Sequence, residues 1–352
     1  VKRNSVTKEA AIKKFCVIAA APEMGDMQGG VTPCSFIPNI IAPWLPRAAR
    51  TTSLEEIKLR LGLMGFGEAA VRYAQDFAQA GLTDITAYSP SGARAAADDP
   101  LRRHAAESGV YLASSPRELC TRTDVIIALT PGKAALAAVR SARKHLRPEQ
   151  IYVDASSCAV KTMEQAAQLL EGRARFVDAA IMSPVPLNGI KAAMAASGAH
   201  AEAFRALLAP FGLNVKVVGT KPGDASAMKL IRSVCMKGLS ATLLESLEAA
   251  QRYGILEASA ADMVEFMDER PFAQIMKRYV CGTAVHAGRR VHEMADALAL
   301  LNTLGSSTRM TRATRANLVE MANMGLRERF NAREPDTIAE VMDAIIALKH
   351  KP

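Results

Sequence analysis

Between residues 57 and 219 the chain alternates short apolar runs with amphipathic stretches of helical period. The apolar runs fall at 57–64, 84–88, 110–113, 124–129, 150–154, 176–181, 192–197 and 214–218. They are four to eight residues long, which is strand length. Between them, apolar positions recur every three to four residues at 69–80, 93–107, 115–121, 133–144, 159–170 and 201–209. This alternation predicts a parallel sheet wound on both faces. After Gly223 the strand signal disappears. A helical pattern runs from 225 to 253, longer than an ordinary globular helix, and further helices are expected near 257–267, 270–280, 287–304, 306–325 and 336–349.

The pattern therefore divides the chain into a segment at 1–54, an α/β domain at 55–221 and an all-helical domain at 222–352. The first segment has no sustained periodicity and carries prolines at 22, 33, 38, 43 and 46, so it reads as a poorly ordered extension. Its apolar stretch at 15–21 is short and is not followed by a small-residue cleavage site, which argues against a secretory signal. Half of the 352 residues are hydrophobic, enough for a sizeable core, but no run approaches the roughly 20 residues of a membrane span.

The most informative segment is 59–71, LRLGLMGFGEAAV. An apolar strand ends in Gly62, Gly65 and Gly67, and Glu68, Ala69 and Ala70 open a helix. Gly65 and Gly67 with Ala70 fit G-x-G-x-x-G/A. The first glycine makes the tight turn, the second admits the pyrophosphate to the backbone, and the alanine lets helix and strand pack closely. The helix N-terminus offers N–H groups and partial positive charge to the phosphates. Gly62, Gly65, Phe66, Gly67, Glu68 and Ala69 are the candidate residues for this contact. A lone motif of this kind is weak, but its place between strand and helix strengthens it.

The second strand ends in Tyr88, followed by Ser89-Pro-Ser91 and then Arg94. NAD-selective folds carry an acid here that takes the ribose hydroxyls and repels a 2′-phosphate. Two hydroxyls and a guanidinium, with no acid, favour NADP, with NAD as the alternative.

Farther on, Gly219–Ser233 reads GTKPGDASAMKLIRS. Lys229 and Ser233 are four apart and share a helix face. A lysine beside a reacting carbonyl donates or accepts the proton that accompanies hydride transfer. On spacing alone, a helical lysine is more often a solvated charge.

Four segments change that weighting. GLMGFGEAA resembles the GxxGxGxMG loop of the β-hydroxyacid dehydrogenase superfamily, which includes 6-phosphogluconate and 3-hydroxyisobutyrate dehydrogenases. ALTPGKAALAAV (128–139) resembles its nicotinamide-side loop, YVDASS (152–157) its VDxST and GDASAMKLIRS (223–233) its GxGxxxKxxxN. The resemblance spans about 57–330 and is nearest the branch of NAD(P)-dependent oxidoreductases with a phosphogluconate-dehydrogenase-like C-terminal domain. RFVDAAIMSPVPLNG and YVCGTAVHAGRRVHEM also look like that branch.

The resemblance implies a Rossmann-type dinucleotide-binding domain followed by an all-α domain, a general acid/base role for Lys229, and cofactor contacts for Thr130, Pro131 and Ser157. It also implies a small-molecule substrate, a hydroxy or oxo acid, and a homodimer. Two departures stand out. Ser233 replaces the family's asparagine, and the glycine-rich substrate loop is replaced by Met182-Ser183-Pro184-Val-Pro. The second weakens the expectation of a simple β-hydroxy acid. Imine reduction and a catalytically silent NADP-binding protein are the alternative functions.

Met182, Ser183, Pro184, Asn188, Lys237 and His286 complete the candidate substrate residues. Each has a plainer reading as core, turn or solvated surface, and Asn188 in particular suits a turn. His286 belongs to a cluster with Arg289, Arg290 and His292 that suits either an anion site or a polar helix face. Six cysteines without CxxC spacing read as reduced thiols of a cytoplasmic protein. No metal-ligand constellation is visible. The net charge of +9 is partly the tail, with seven Lys/Arg against three acids in 1–53. No basic reading helix or aromatic platform accompanies it, so no nucleic-acid partner is expected.

Overall fold

The computed structural model describes residues 59–96 and 98–349. The expected extension at 1–54 lies outside the described residues, as do Cys16 and Cys34. The chain divides into two compact units between Ile231 and Arg232.

The first unit carries an eight-stranded sheet in the order β3-β2-β1-β4-β5-β6-β7-β8. Its strands are β1 Leu61–Met64, β2 Ile85–Tyr88, β3 Val110–Leu112, β4 Val125–Ala128, β5 Ile151–Asp154, β6 Arg175–Ile181, β7 Met194–Ser197 and β8 Val215–Gly219. All eight lie where the apolar runs predicted them. The helices are α1 Glu68–Gln79, α2 Pro90–Arg94, α3 Pro100–Glu107, α4 Pro116–Arg122, α5 Ala135–Ala142, α6 Val160–Leu170, α7 Val185–Asn188 and α8 Ala201–Leu208.

Alternate strand residues feed two cores. Leu61, Leu63, Val125, Ile127, Ile151 and Val153 join Ala70, Tyr73 and Phe77 of α1 and Phe204 of α8 on one face. Met64, Ile126 and Tyr152 join Leu119 of α4, Val139 of α5 and Met163 of α6 on the other. The period of two thus builds three layers, with the sheet covered on both sides.

Three details differ from the sequence expectation. The sheet is not wholly parallel: β7 runs antiparallel to β6, with Asp178 opposite Ser197. The β6–β7 connection holds only the one-turn α7 and a 3₁₀ turn, Gly189–Lys191, so no helix is available for a parallel crossover. The single helix expected at 93–107 is two, because Pro100 favours a helix start and Asp99 caps it by accepting from the Leu101 N–H at 2.8 Å. Finally, the stretches expected at 270–280 and 287–304 form one helix.

The long helix α9, Asp224–Tyr253, leaves the sheet unit and continues into the second unit. There it is followed by α10 Leu256–Asp268, α11 Phe272–Thr303, α12 Arg309–Asn323, α13 Leu326–Arg329 and α14 Ile338–Lys349. α11 passes through Gly282 without a break because Cys281 and Ala284 pack on Leu326 of α13 and on Val341 and Ala344 of α14. α12 is tied to α9 by Glu245, whose buried carboxylate accepts from the Ser307 hydroxyl, the Met310 and Thr311 N–H groups and the Thr311 hydroxyl at 2.7–3.0 Å. Burial pushes that carboxyl up, but these four bonds outweigh it and hold it at about 2. Among the described residues, no helix is long and apolar enough to cross a membrane.

Candidate active site

One level of the sheet organises the site. Tyr88, Met64, Ala128, Asp154, Asp178 and Ser197 are successive cross-strand partners, so they form a row across β2, β1, β4, β5, β6 and β7. In the parallel strands the chain turns out of the sheet soon after this row. Ser89, Gly65, Thr130 and Ser156 therefore emerge along one edge. This is the carboxyl edge, at the β1/β4 switch in strand order, where ligands of open α/β sheets bind.

The glycine loop follows β1. Gly65 has φ +101°, and a Cβ there would lie 2.7 Å from the Leu129 carbonyl oxygen, so only glycine fits. Its N–H donates to the Tyr88 carbonyl at 2.7 Å, which pulls the turn against β2. Gly67 is the N-cap of α1 and differs in kind: a Cβ there would meet nothing within 4 Å. α2, α3 and α4 begin with side-chain caps from Ser89, Asp99 and Ser115, whereas α1 has none. The first-turn N–H groups of α1 and the open side of Gly67 make a cradle suited to a pyrophosphate. The residues present therefore fit a dinucleotide. Phe66 is buried in the core, so it offers the ligand only its backbone. Gly62 lies inside β1, where a Cβ would come within about 3 Å of Ile126 and Thr123; its glycine serves packing. Glu68 is exposed and Ala69 half-buried at the helix start.

At the end of β2, the buried Ser89 accepts from the Gly92 N–H at 3.0 Å and contacts the Ser91 hydroxyl at 3.2 Å. Arg94 is exposed in the last turn of α2. This short helix keeps both hydroxyls and the guanidinium together beside the β2 terminus.

The lysine helix is held at its base. Asp178 is fully buried, and its Oδ2 accepts from the Ser197 hydroxyl and the Gly223 and Ser226 N–H groups, each at 3.0 Å. Its Oδ1 accepts from the Ser226 hydroxyl at 2.7 Å. Ser197 also accepts from the Ala225 N–H at 3.0 Å. From this anchored turn Lys229 reaches back, and its Nζ donates to Ser157 Oγ at 2.5 Å.

Ser157 sits on the loop after β5. The neighbouring Ser156 gives its N–H to Asp154 Oδ1 at 2.9 Å and shares a hydrogen bond with Thr130 Oγ1 at 3.0 Å. Gly132, just after the exposed Pro131, lets the β4 loop press on this one: a Cβ there would lie 2.2 Å from the Ser157 carbonyl oxygen. Burial pushes the Asp154 carboxyl up to about 6, against the opposing effect of the Ser156 hydrogen bonds. Burial also raises the Cys158 thiol to about 11, which leaves it protonated and a poor nucleophile.

The 182–190 segment is bound to α1. Arg72 Nε and Asp76 form an ion pair at 3.1 Å. Asp76 Oδ2 accepts from the Ile190 N–H at 3.0 Å, and Arg72 donates to the Pro186 carbonyl at 3.4 Å. Ser183 Oγ accepts from the Ala193 N–H, and Asn188 spends its amide on the Pro184 carbonyl, both at 3.0 Å. Asn188 thus works as a turn residue. Met182 packs on Ala225 at the foot of α9.

Ser233 lies one turn beyond Lys229 on α9, and Lys237 is exposed one turn farther. In the second unit, His286 pairs with Glu334 at 3.4 Å, and Arg290 donates to Thr283. The sheet brings together the glycine loop, Ser89, Thr130, Ser157 and Lys229. Asp154, Asp178, Gly132 and Asp76 were not singled out from sequence. The signal for the two aspartates was present: an acid inside the apolar runs IYVD and RFVDAAI, where only a partnered carboxylate is tolerated.

The comparisons agree with this geometry. Residues 60–219 match the NAD binding domain of 6-phosphogluconate dehydrogenase, and residues 250–321 match a domain of unknown function, DUF1932. A conserved protein of unknown function, described as structurally similar to 3-hydroxyacid dehydrogenases, is 33% identical; the match covers 75% of this chain and 98% of that one, with a TM-score of 0.51. A conserved hypothetical protein from Sinorhizobium meliloti is 31% identical over 76% of this chain and 91% of its own, with a TM-score of 0.55. An imine reductase from Myxococcus stipitatus, solved with NAD+, shares the fold at 18% identity, covering 81% of this chain and 99% of that one, with a TM-score of 0.65. The chain is an NAD(P)-binding oxidoreductase, and it belongs to the β-hydroxyacid dehydrogenase-like superfamily.

Proposed function

We propose that this protein is an NADP-dependent reductase or dehydrogenase of a small hydroxy or oxo compound, with Lys229 as general acid/base. The observation that carries the reading is the Lys229–Ser157 hydrogen bond at 2.5 Å, on the loop edge that Thr130 and Ser156 share. When bound, the nicotinamide supplies or accepts the hydride. Lys229 then gives a proton to the developing alkoxide, or takes it from the alcohol, through Nζ. Ser157 keeps the lysine directed to that edge, and Ser233 orients the substrate oxygen. Gly67 and the first turn of α1 hold the pyrophosphate. Ser89, Ser91 and Arg94 receive the 2′-phosphate. The segment from Met182 to Asn188 forms the wall toward substrate.

Exposed apolar side chains along α9, among them Ile231, Val234 and Leu244 at 70%, 76% and 69% exposure, support association with a second copy. Light scattering that returns a homodimer accords with this, and a monomer at high concentration contradicts it. Six cysteines without CxxC spacing support a cytoplasmic protein, with residues 55–221 as the dinucleotide domain and 222–352 as the helical one.

The deciding experiment is NADPH consumption against paired carbonyl and imine panels. Carbonyl turnover that vanishes in Lys229→Met supports the reading. Turnover of imines alone favours reduction of C=N, the activity named for the Myxococcus relative. Tight NADPH binding without turnover points to a silent binding protein.

A further inference from the structure

Asp154 and Asp178 are cross-strand partners on parallel β5 and β6, both fully buried; β5 ends at Asp154, whereas β6 continues to Ile181. Each grips a different segment. Asp154 takes the Ser156 N–H and so fixes the loop that presents Ser157. Asp178 takes Gly223 and Ser226, and with Ser197 it fixes the first turn of the helix that presents Lys229. The two segments meet where Lys229 Nζ donates to Ser157 Oγ. The sheet register thereby sets the distance between donor and acceptor. Burying two carboxyl groups side by side is costly. That cost is understandable if their hydrogen bonds position something.

We propose that Asp178 and Asp154 are positioning residues for Lys229, acting through the α9 first turn and the Ser156–Ser157 loop respectively. The inference rests on the reading of Lys229 as the acid/base residue, but its test does not need a substrate. The Cys158 thiol, next to Ser157, feels the charges of Asp154, Asp178 and Lys229 together. Release of the lysine from Ser157 frees its amine for chemical modification, whereas loosening of the fold at large affects other lysines equally.

The test is amine modification of the full-length protein at fixed pH, with peptide mapping of Lys229 and of Lys237, two turns along the same helix. Ser197→Ala, Ser226→Ala and Asp178→Ala remove anchor bonds, and Asp178→Asn retains the shape and one acceptor oxygen, which placed as Oδ2 takes three of the four donors. The expected result is modification of Lys229 several-fold faster in the alanine variants, with Lys237 unchanged, near-wild-type protection in Asp178→Asn, and the same contrast between Asp154→Ala and Asp154→Asn. If an Asp→Ala variant does not fold, the two serine variants decide. Equal acceleration at Lys237, or none at Lys229, overturns the proposal. If the lysine is released as expected but the wild type turns over no carbonyl or imine, positioning stands and the acid/base reading of Lys229 falls.

Discussion

Lys229 and Ser157 are 72 positions apart in the chain and joined by a 2.5 Å hydrogen bond from ammonium to hydroxyl. The contact exists because β5 and the foot of α9 are anchored at the same level of one sheet. It turns a helical lysine that would otherwise be a solvated charge into a directed one. Replacing Lys229 with Met removes the proton donor and leaves the glycine loop intact. Turnover is expected to fall by about 10²–10⁴-fold, the usual weight of acid–base catalysis. Cofactor affinity, followed by NADPH fluorescence, should stay within a factor of a few.

The two loop glycines should separate cleanly on substitution. Gly65→Ala places a Cβ 2.7 Å from a backbone oxygen at φ +101°, so it should lower the melting temperature and abolish cofactor binding together. Gly67→Ala meets no protein atom within 4 Å and has φ −98°. Its melting temperature should hold while dinucleotide affinity drops at least about tenfold, because the methyl occupies the phosphate cradle. Unchanged affinity in Gly67→Ala would remove the cradle from that position.

Ser89 offers a test of cofactor choice with little structural disturbance. Aspartate caps helices as well as serine, so Ser89→Asp keeps the bond to the Gly92 N–H. The added charge repels a 2′-phosphate and suits free ribose hydroxyls. The ratio of NADPH to NADH affinity should fall by about tenfold or more in Ser89→Asp, and less in Arg94→Ala. Calorimetry with both cofactors reads this directly, and an unchanged ratio places the discriminating contact elsewhere.

Asp154 makes stability depend on pH in the direction opposite to most acids. Burial raises its folded value to about 6 from 3.8, so the folded state holds the proton more tightly. Stability from this group is fullest below pH 4 and is lost as pH rises through 6. Asp154→Asn keeps an acceptor for the Ser156 N–H and cannot ionise. Its unfolding free energy relative to wild type should therefore improve between pH 4 and pH 8, by up to on the order of 3 kcal/mol. Denaturant melts at the two pH values check it, and a pH-independent difference refutes it.

Glu245 has the contrary sign. Its value of about 2 lies below the usual carboxylate range, so its contribution is present above about pH 4.5 and lost as pH falls toward 2. Glu245→Gln forfeits part of the four-bond anchor on α12 and should cost about 1–3 kcal/mol at neutral pH. The variant should also lose less further stability on acidification than wild type, as followed by circular dichroism.

Much of the fold was legible because periodicity is a local property. All eight strands coincide with apolar runs, and in the central strands alternate residues enter the two cores, as Leu61 and Leu63 do on one face and Met64 on the other. The glycine loop was equally legible, since its conformational demands are written in Gly65 itself. Less visible were features that depend on distant partners. The split at Pro100 and the antiparallel β7 turn on a capping bond and on a short connection. The unbroken α11 depends on α13 and α14 packing beside Gly282. Asn188 reads in sequence as either a pocket or a turn residue, and only the fold shows its amide on the Pro184 carbonyl.

The candidate lysine was singled out by the resemblance of GDASAMKLIRS to a known motif, whereas the class of the first unit and the position of the dinucleotide loop were written in the chain's own pattern. These follow from strand period, helix period and glycine chemistry, which act over a few residues. That Lys229 meets Ser157, with Asp154 and Asp178 bonded to the segments on its two sides, emerges only from the folded sheet. Register between strands far apart in sequence fixes such distances. Register is set by the packing of whole layers, a sum over many weak contacts that no single segment encodes.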